Sequence, residues 1–304
     1  MVAAIIVLFY PKHDQVLRLL TSLAGHADAI YAIDNTSGSF SPAPAYLRGI
    51  AEPLHYLPLG ENKGIAAAQN AGIAACIQAG IAHVLFLDQD SELPAGMVTR
   101  LLEAEKSLLK NGEKVGVIAP QIVDHKTGMR PSAVHYQWLM AREFYAKSDA
   151  SGPVRSDNLI SSGSMIRICA LQEIGLMRAD LFIEYVDTEW VMRSQRAGYS
   201  SYCVPGAVMM HNFGDAARTA FGKSFYLYSN ARFYYKLRNE VYLARLKTMG
   251  WQWRAYALSR IPYHFFLYTA LAQKRCEALC LMLRAVSDGM LGRLGPLAER
   301  AAGR

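Results

Sequence analysis

The sequence predicts an α/β protein: a mostly parallel, twisted sheet with helices on both faces, followed by a helical C-terminal region. Three observations predict it. Over the first 125 residues short apolar runs alternate with helical patterns, as βαβ units do. Polar residues gather where those runs stop, and from about Ser224 the pattern stays helical to the end.

Residues 2–9 (Val-Ala-Ala-Ile-Ile-Val-Leu-Phe) have the apolar character of an export-signal core. No basic stretch precedes them and Tyr10-Pro11-Lys12 follows at once, so 3–9 reads instead as a first buried strand. Further strands are expected at 29–33, 54–57, 84–87 and 115–118. Between them 14–23 reads as an amphipathic helix, 64–79 as an Ala-rich helix and 94–109 as a third. The strand ends then carry Tyr10-Pro11, Asp34-Asn35-Thr36-Ser37, Glu61-Asn62-Lys63-Gly64 and Asp88-Gln89-Asp90. In open parallel sheets ligands bind outside the carboxyl ends of the strands, so these groups line one crevice. Residues 125–160 are polar and aromatic with weak periodicity, an insertion or a strand-rich region. Regular structure resumes at 159–168, with a helix near 170–174, an acidic-to-basic helix over 182–196 and a strand over 201–208 leading into His211. No internal repeat or low-complexity tract interrupts the chain.

With 304 residues the chain is long enough to bury a sizeable core, and 52% hydrophobic against 19% charged residues is an ordinary globular composition. Its five cysteines, Cys76, Cys169, Cys203, Cys276 and Cys280, lack disulfide-framework or zinc-type spacing and read as reduced thiols of a cytosolic protein. The net charge of +7 conceals a division. Residues 1–215 carry 17 Lys and Arg against 21 Asp and Glu, a net −4, whereas residues 216–304 carry 15 against 4, a net +11. That basic segment also holds Trp251, Trp253, Phe265 and Phe266, which fits either a membrane surface or a helical subdomain packed on the core. The apolar stretch at 261–272 contains Pro262 and His264 and is shorter than the roughly 20 residues of a spanning helix. No nucleic-acid-binding motif accompanies the basic excess.

The strand Val84–Leu87 ends in Asp88-Gln89-Asp90. Two carboxylates on one side of an extended segment repel unless a positive charge sits between them. A divalent cation holding a diphosphate resolves this, because Mg²⁺ takes few protein carboxylates and completes its shell with water and phosphate oxygens; a strand-end turn with solvated acids is the alternative. Asn62-Lys63-Gly64 stands before the small-residue helix containing Asn70, where a helix N-terminus favours an anion and small side chains admit it, or where an Ala-rich helix packs on the sheet. Asp187 and Glu189 lie at a helix start, with Glu184 one turn before; there a carboxylate serves either as general base or as complement to the helix dipole. His211 at a strand end fits a metal ligand or a hydrogen-bonded surface residue.

Together these residues resemble a family, the inverting nucleotide-sugar glycosyltransferases of family 2 with the Rossmann-like GT-A fold, and within it the bacterial rhamnosyltransferases. The resemblance runs from about residue 2 to 245. It rests on Asp34-Asn35-Thr36-Ser37, Asn62-Lys63-Gly64 through Asn70-Ala71-Gly72, and Leu87-Asp88-Gln89-Asp90-Ser91. It continues with Ser162-Gly163-Ser164, Asp187-Thr188-Glu189-Trp190, His211-Asn212-Phe213-Gly214 and Tyr234-Tyr235-Lys236-Leu237-Arg238-Asn239, in that order.

The resemblance implies a catalytic domain over 1–215, divided into a nucleotide-sugar-binding half (1–125) and an acceptor half (126–215), and a basic helical region over 216–304. It implies that Asp34, Asn35, Asn62, Lys63, Gly64, Asn70, Asp88, Gln89 and Arg238 hold the donor. Asp88, Asp90 and His211 would hold Mg²⁺ or Mn²⁺. Asp187 would be the base, with Glu189 a second candidate because Val186 stands where many relatives carry Glu before the Asp. The implied donor is dTDP-L-rhamnose and the implied acceptor a saccharide, free or lipid-linked, of a bacterial surface polysaccharide such as O-antigen, with the protein cytoplasmic or peripheral on the inner face of the membrane and an oligomer allowed. A non-catalytic sugar-nucleotide-binding or scaffold subunit and a transferase using another donor are the alternatives. Nucleotidyl transfer expects a Gly-rich loop after the first strand, which Tyr10-Pro11-Lys12 does not provide.

Overall fold

The structure, a computed structural model, describes residues 1–38, 44, 47, 53–124, 128–129, 131–145, 152–211, 216–220, 223–227, 229–272 and 274–297. The first half follows the expected alternation: β1 (Val2–Leu8), α1 (His13–Leu23), β2 (Ala29–Asp34), β3 (Leu54–Pro58), α2 (Ile65–Gln78), β4 (His83–Asp88), α3 (Met97–Lys110) and β5 (Val115–Asp124). The following region holds β6 (Gly128–Met129), the hairpin β7 (Ala133–Gln137) and β8 (Met140–Phe144), and β9 (Val154–Arg155). Then come β10 (Met165–Arg167), α4 (Ile168–Ile174), α5 (Val186–Arg196) and β11 (Ser200–His211). Where a helix was expected from about Ser224, a second hairpin, β12 (Ala216–Ala220) and β13 (Lys223–Leu227), stands instead, and the helices α6 (Asn230–Ala244), α7 (Trp251–Leu271) and α8 (Arg275–Leu291) follow it.

The central sheet runs β3-β2-β1-β4-β10-β5-β11-β9, with β6 on β5. Pairs β1–β2, β1–β4, β2–β3 and β5–β11 are parallel, while β10 is antiparallel to both β4 and β5. Strand alternation feeds two cores. Ile5, Tyr31, Ile33 and Phe86 face α2, α4 and α5, whereas Ile6, Leu8, Ile30 and Leu87 face α1 and α3. Burial on both faces is why these strands read as unbroken apolar runs. The small residues of α2 serve this packing, since a Cβ on Gly72 would come within 2.7 Å of Ile5.

One expected boundary is corrected. Residues 182–185 are not helical: Phe182, Glu184 and Tyr185 have φ of 67°, 65° and 62°, and α5 begins only at Val186. Periodicity registers the apolar and acidic spacing but not a left-handed backbone, which tertiary contacts impose at a cost. Likewise only Met165–Arg167 of 159–168 joins the sheet.

Helices α6, α7 and α8 enclose a third core built on Phe233, Leu237, Val241, Tyr268, Met282 and Ala285, against which Phe182 and Ile183 pack. Trp253 of α7 lies edge-on to Tyr185, and Tyr256 meets Tyr136 of β7. The inner side of the basic region therefore packs on the rest of the protein. None of the described helices is long and apolar enough to cross a membrane. All five cysteines are free.

Candidate active site

Strand register assembles the crevice. Leu8 stands abreast of Asp34, Asp34 of Pro58 and Val7 of Asp88, so the polar strand ends lie on one edge, with β2 and β4 flanking β1 at about 10 Å from each other. Strand order reverses direction at β1, where open α/β sheets bind ligands.

Asp34 is buried. One carboxylate oxygen accepts the Thr36 N–H at 2.9 Å and the other accepts the Tyr56 hydroxyl at 2.7 Å. Asn35 links two expected donor segments: its Nδ2 donates to Asn62 Oδ1 at 3.0 Å and its Oδ1 accepts the Lys63 N–H at 2.8 Å. Asn62 Oδ1 also accepts the Gly64 N–H at 3.0 Å. The Lys63 ammonium remains exposed, 3.6 Å from Glu61. Gly64 has φ +84°, and a Cβ there would lie 2.5 Å from the Phe182 carbonyl oxygen, which itself accepts the Ile65 N–H at 2.8 Å. Glycine is required here because the first half touches the segment leading to Asp187.

Asp88 and Asp90 flank a turn that Ser91 fastens. Ser91 Oγ accepts the Asp88 N–H at 3.2 Å and lies 3.1 Å from Ser162 Oγ, joining the turn to the Ser162-Gly163-Ser164 loop. His211 ends β11, and the neighbouring Met210 bridges Glu92, which brings that backbone beside the Asp90 turn. The His211 side chain and residues 212–214 lie outside the described residues. Among the described residues no three His, Cys, Asp or Glu side chains converge to hold a metal ion.

Asp187, in the first turn of α5, accepts the N–H of Thr188 at 2.7 Å and of Ser161 at 3.3 Å. It lines a pocket with Gln69, Phe86, Ser161, Met177 and Trp190, and Phe86 lies two residues before Asp88 on β4. Burial in these largely apolar surroundings raises its pKa from 3.8 to about 6, opposed by the Thr188 and Ser161 hydrogen bonds and assisted by the charge of Glu184. Gln69 Oε1 is buried in the same wall without a hydrogen-bond partner. Glu189 is placed differently. Buried, it faces Arg193 at 3.0 Å, and Arg193 also donates to the carbonyls of Ile174 and Leu176. Two residues apart on α5, Asp187 and Glu189 stand on opposite sides of the helix, about 200° apart, and the i, i+4 spacing pairs Glu189 with Arg193.

A model of glycosyl transferase family 2 matches residues 4–175, more than half of the chain. The chain belongs to glycosyl transferase family 2. Over 293 residues it is 27% identical to the dTDP-rhamnosyl transferase RfbF of Shigella flexneri, covering 96% of each chain. Among solved structures it resembles GalNAc-T7 with UDP, GalNAc and Mn²⁺ at a TM-score of 0.57 and 13% identity, over 96% of this chain and 56% of that one. It resembles S. aureus TarS 1–349 in complex with UDP-GlcNAc at a TM-score of 0.57 and 14% identity, over 95% and 80%. The chain thus spans little more than half of GalNAc-T7, and both likenesses concern the fold, which is of the GT-A type.

Three expected donor residues of this family 2 glycosyltransferase also hold the fold together. Gln89 accepts the Phe9 N–H at 2.9 Å and donates to the Phe9 carbonyl at 3.2 Å, fastening β1 to the turn after β4. Asn70 exchanges two hydrogen bonds with the Met177 backbone, at 2.8 and 2.9 Å. Arg238 is buried on α6, donates to Asn239 Oδ1, Gly295 O and Leu181 O, and lies over the ring of Tyr235. Burial lowers its pKa. Beside it Asn239 reaches the carbonyls of Leu181, Ile183 and Glu184 at 2.7–3.0 Å. The Arg-Asn pair thus holds the left-handed segment that delivers Asp187.

Sequence reasoning missed Ser161, Gln69 and Tyr136. Ser161 sits one residue before the recognised Ser-Gly-Ser, which was the available signal. Gln69 looked like one polar position in an Ala-rich helix. Tyr136 lay in the region of weak periodicity; burial, the Tyr256 phenol and the charges of Asp157 and, less, Asp187 hold its own phenol well above the usual range.

Proposed function

We propose that the protein transfers L-rhamnose from dTDP-L-rhamnose to a saccharide acceptor of a bacterial surface polysaccharide such as O-antigen, with inversion at the anomeric carbon and with a divalent cation. The observation that carries the reading is Asp187: a carboxylate with its pKa raised to about 6, lining a pocket whose wall includes Phe86, two residues before Asp88. A base poised near neutral pH takes a proton from a hydroxyl more effectively than a fully solvated acid. The full-length likeness to RfbF, named for dTDP-rhamnosyl transfer, supports the donor.

In this reading Asp34, Asn35, Asn62, Lys63 and Gly64 seat the nucleoside and diphosphate. Asp187 Oδ removes the acceptor proton while the hydroxyl oxygen attacks from the face opposite the nucleotide. Gln69 Oε1 offers the acceptor's pocket an unused hydrogen-bond acceptor. The donor set of Asp88, Asp90 and His211, carboxylate oxygens with one imidazole nitrogen, suits Mg²⁺ or Mn²⁺, and the Met210–Glu92 bridge supports the convergence of their backbones. Such a cation would offset the charge of the leaving diphosphate. The chain is read as acting at the inner face of the plasma membrane, in line with the +11 charge of residues 216–304.

The test is release of nucleoside diphosphate from a panel of nucleotide sugars with Mg²⁺, Mn²⁺ or excess chelator. Selective, chelator-sensitive turnover of dTDP-L-rhamnose is expected, and loss of it in Asp90→Ala. Preference for a UDP-sugar would overturn the donor, chelator-resistant turnover the metal, and binding without turnover of any donor and acceptor the enzymatic reading.

A further inference from the structure

The hairpin β7–β8 and helix α7 form an apolar outer surface. At the hairpin tip Trp138, Leu139 and Met140 are 67%, 49% and 68% exposed, and Phe144 and Tyr145 are 51% and 52% exposed. Residues 137–140 and 142–145 are all exposed. Trp138 meets Trp251 edge-on at 6.4 Å. From Trp251 an exposed stripe runs along one face of α7 through Leu258, Pro262 and Phe266. Those positions are spaced at 7, 11 and 15 residues from the first, a single side of a helix about 22 Å long.

We propose that this surface seats on an anionic lipid membrane, with the outer stripe of α7 lying in the headgroup region and the Trp138 tip inserted beside it. Composition favours lipid over a second copy of the chain. Trp and Tyr are the side chains that suit the boundary between headgroup and hydrocarbon, carrying an apolar body and a polar N–H or O–H. The 21 residues of α7 include Arg254 and Arg260 and no acid. Lys247, Arg196 and Arg142 are exposed on the neighbouring turn, the end of α5 and β8. The exposed Glu143 of β8, which accepts the Tyr145 hydroxyl at 2.9 Å, is outnumbered by these cations. A mainly cationic rim around aromatics matches a negatively charged surface, whereas a self-complementary contact would set these cations against their own copies.

The placement has a functional meaning that rests on the acceptor reading above. Tyr136, one residue before the last pair of the hairpin, donates its backbone N–H to Asp157 at 3.1 Å, and the next residue, Asn158, accepts the hydroxyl of Thr188, the neighbour of Asp187, at 3.0 Å. Trp138 lies two residues further out, about 7 Å along the strand. A membrane on the tip holds the head of a lipid-linked saccharide near the pocket of Asp187.

The experiment is co-sedimentation of the full chain, without donor or acceptor, with vesicles of phosphatidylcholine alone and of phosphatidylcholine containing phosphatidylglycerol. Binding is expected only to the phosphatidylglycerol vesicles, weakening with salt, and reduced at least about tenfold in Trp138→Ala/Trp251→Ala, whose donor hydrolysis stays as in the parent. Should that variant misfold by circular dichroism, Met140→Glu at the tip gives the same reading. Equal sedimentation of parent and variants overturns the proposal. So does no sedimentation of the parent, or a light-scattering dimer that the substitutions dissociate. None of these outcomes depends on donor identity, and loss of donor hydrolysis in the parent would strike the catalytic reading alone.

Discussion

The carboxylate of Asp187 accepts the backbone N–H of Ser161 at 3.3 Å across a separation of 26 residues, so the proposed base is held by the loop that also grips β4. With a pKa near 6, set first by desolvation, Asp187 is protonated in mildly acidic solution and unable to accept a proton. The value of kcat/KM for transfer should fall about tenfold per pH unit below pH 6. Asp187→Asn should lower transfer by roughly 10³ with donor KM little changed. A flat pH–rate profile between pH 5 and 8 would remove Asp187 from the role.

The same shift acts on stability. The folded Asp187 keeps its proton to a higher pH than the unfolded carboxyl, so its contribution turns unfavourable as pH rises from about 4 to about 6. Asp187→Asn should therefore be as stable as the parent near pH 4 and more stable at pH 7, by at most about 3 kcal/mol, in urea unfolding. Equal destabilisation at both pH values would contradict the shift.

Glu189 answers to a different measurement. Removing its charge leaves Arg193 half-buried without its counter-ion, so Glu189→Gln should cost about 3 kcal/mol of stability. Its kcat, measured well below the melting temperature, should stay within a few-fold of the parent. A large loss of kcat in a folded Glu189→Gln would return this residue to the chemistry.

Asn239→Ala leaves the carbonyls of Ile183 and Glu184 without the side-chain amide that reaches them. Hydrogen bonds of this kind contribute about 1 kcal/mol each, so a loss of about 2 kcal/mol is expected, together with lower kcat and unchanged donor affinity. Isothermal titration with dTDP separates the two effects. Weakened nucleotide binding would instead tie α6 to the donor.

Gly64→Ala introduces a methyl 2.5 Å from the Phe182 carbonyl at a φ of +84°. Both the clash and the left-handed backbone act against it, and a loss above about 3 kcal/mol is expected in thermal unfolding. A near-neutral outcome would mean that the Gly64–Phe182 contact opens readily.

The parallel strands and their helices were legible because burial on both faces leaves continuous apolar runs at βαβ spacing, as in Ala3 to Leu8 and Val84 to Leu87. The polar strand ends were legible too, since Asp34 and Asp88 stand where a buried run stops. What the pattern could not carry was the use of each polar side chain. Asn70, Gln89 and Arg238 match family positions, yet their hydrogen bonds go to the backbones of Met177, Phe9 and Leu181, partners 57 to 107 residues away. The left-handed turn at Phe182–Tyr185 was invisible for a related reason, because no glycine or asparagine announces it and it is held by distant contacts, those of Gly64, Arg238, Asn239 and Trp253 among them.

The antiparallel strand β10 has a consequence for how the chain is made. Residues 165–167 sit between β4 and β5, so the nascent chain cannot complete its sheet when the first 125 residues have left the ribosome. Until then the edge of β4, from His83 to Leu85, carries backbone groups that β10 will later take. An open apolar edge of this kind invites pairing with other chains. Synthesis is therefore expected to pass through a stage that depends on chaperones, ending when Met165 settles between Leu85 and Ile118.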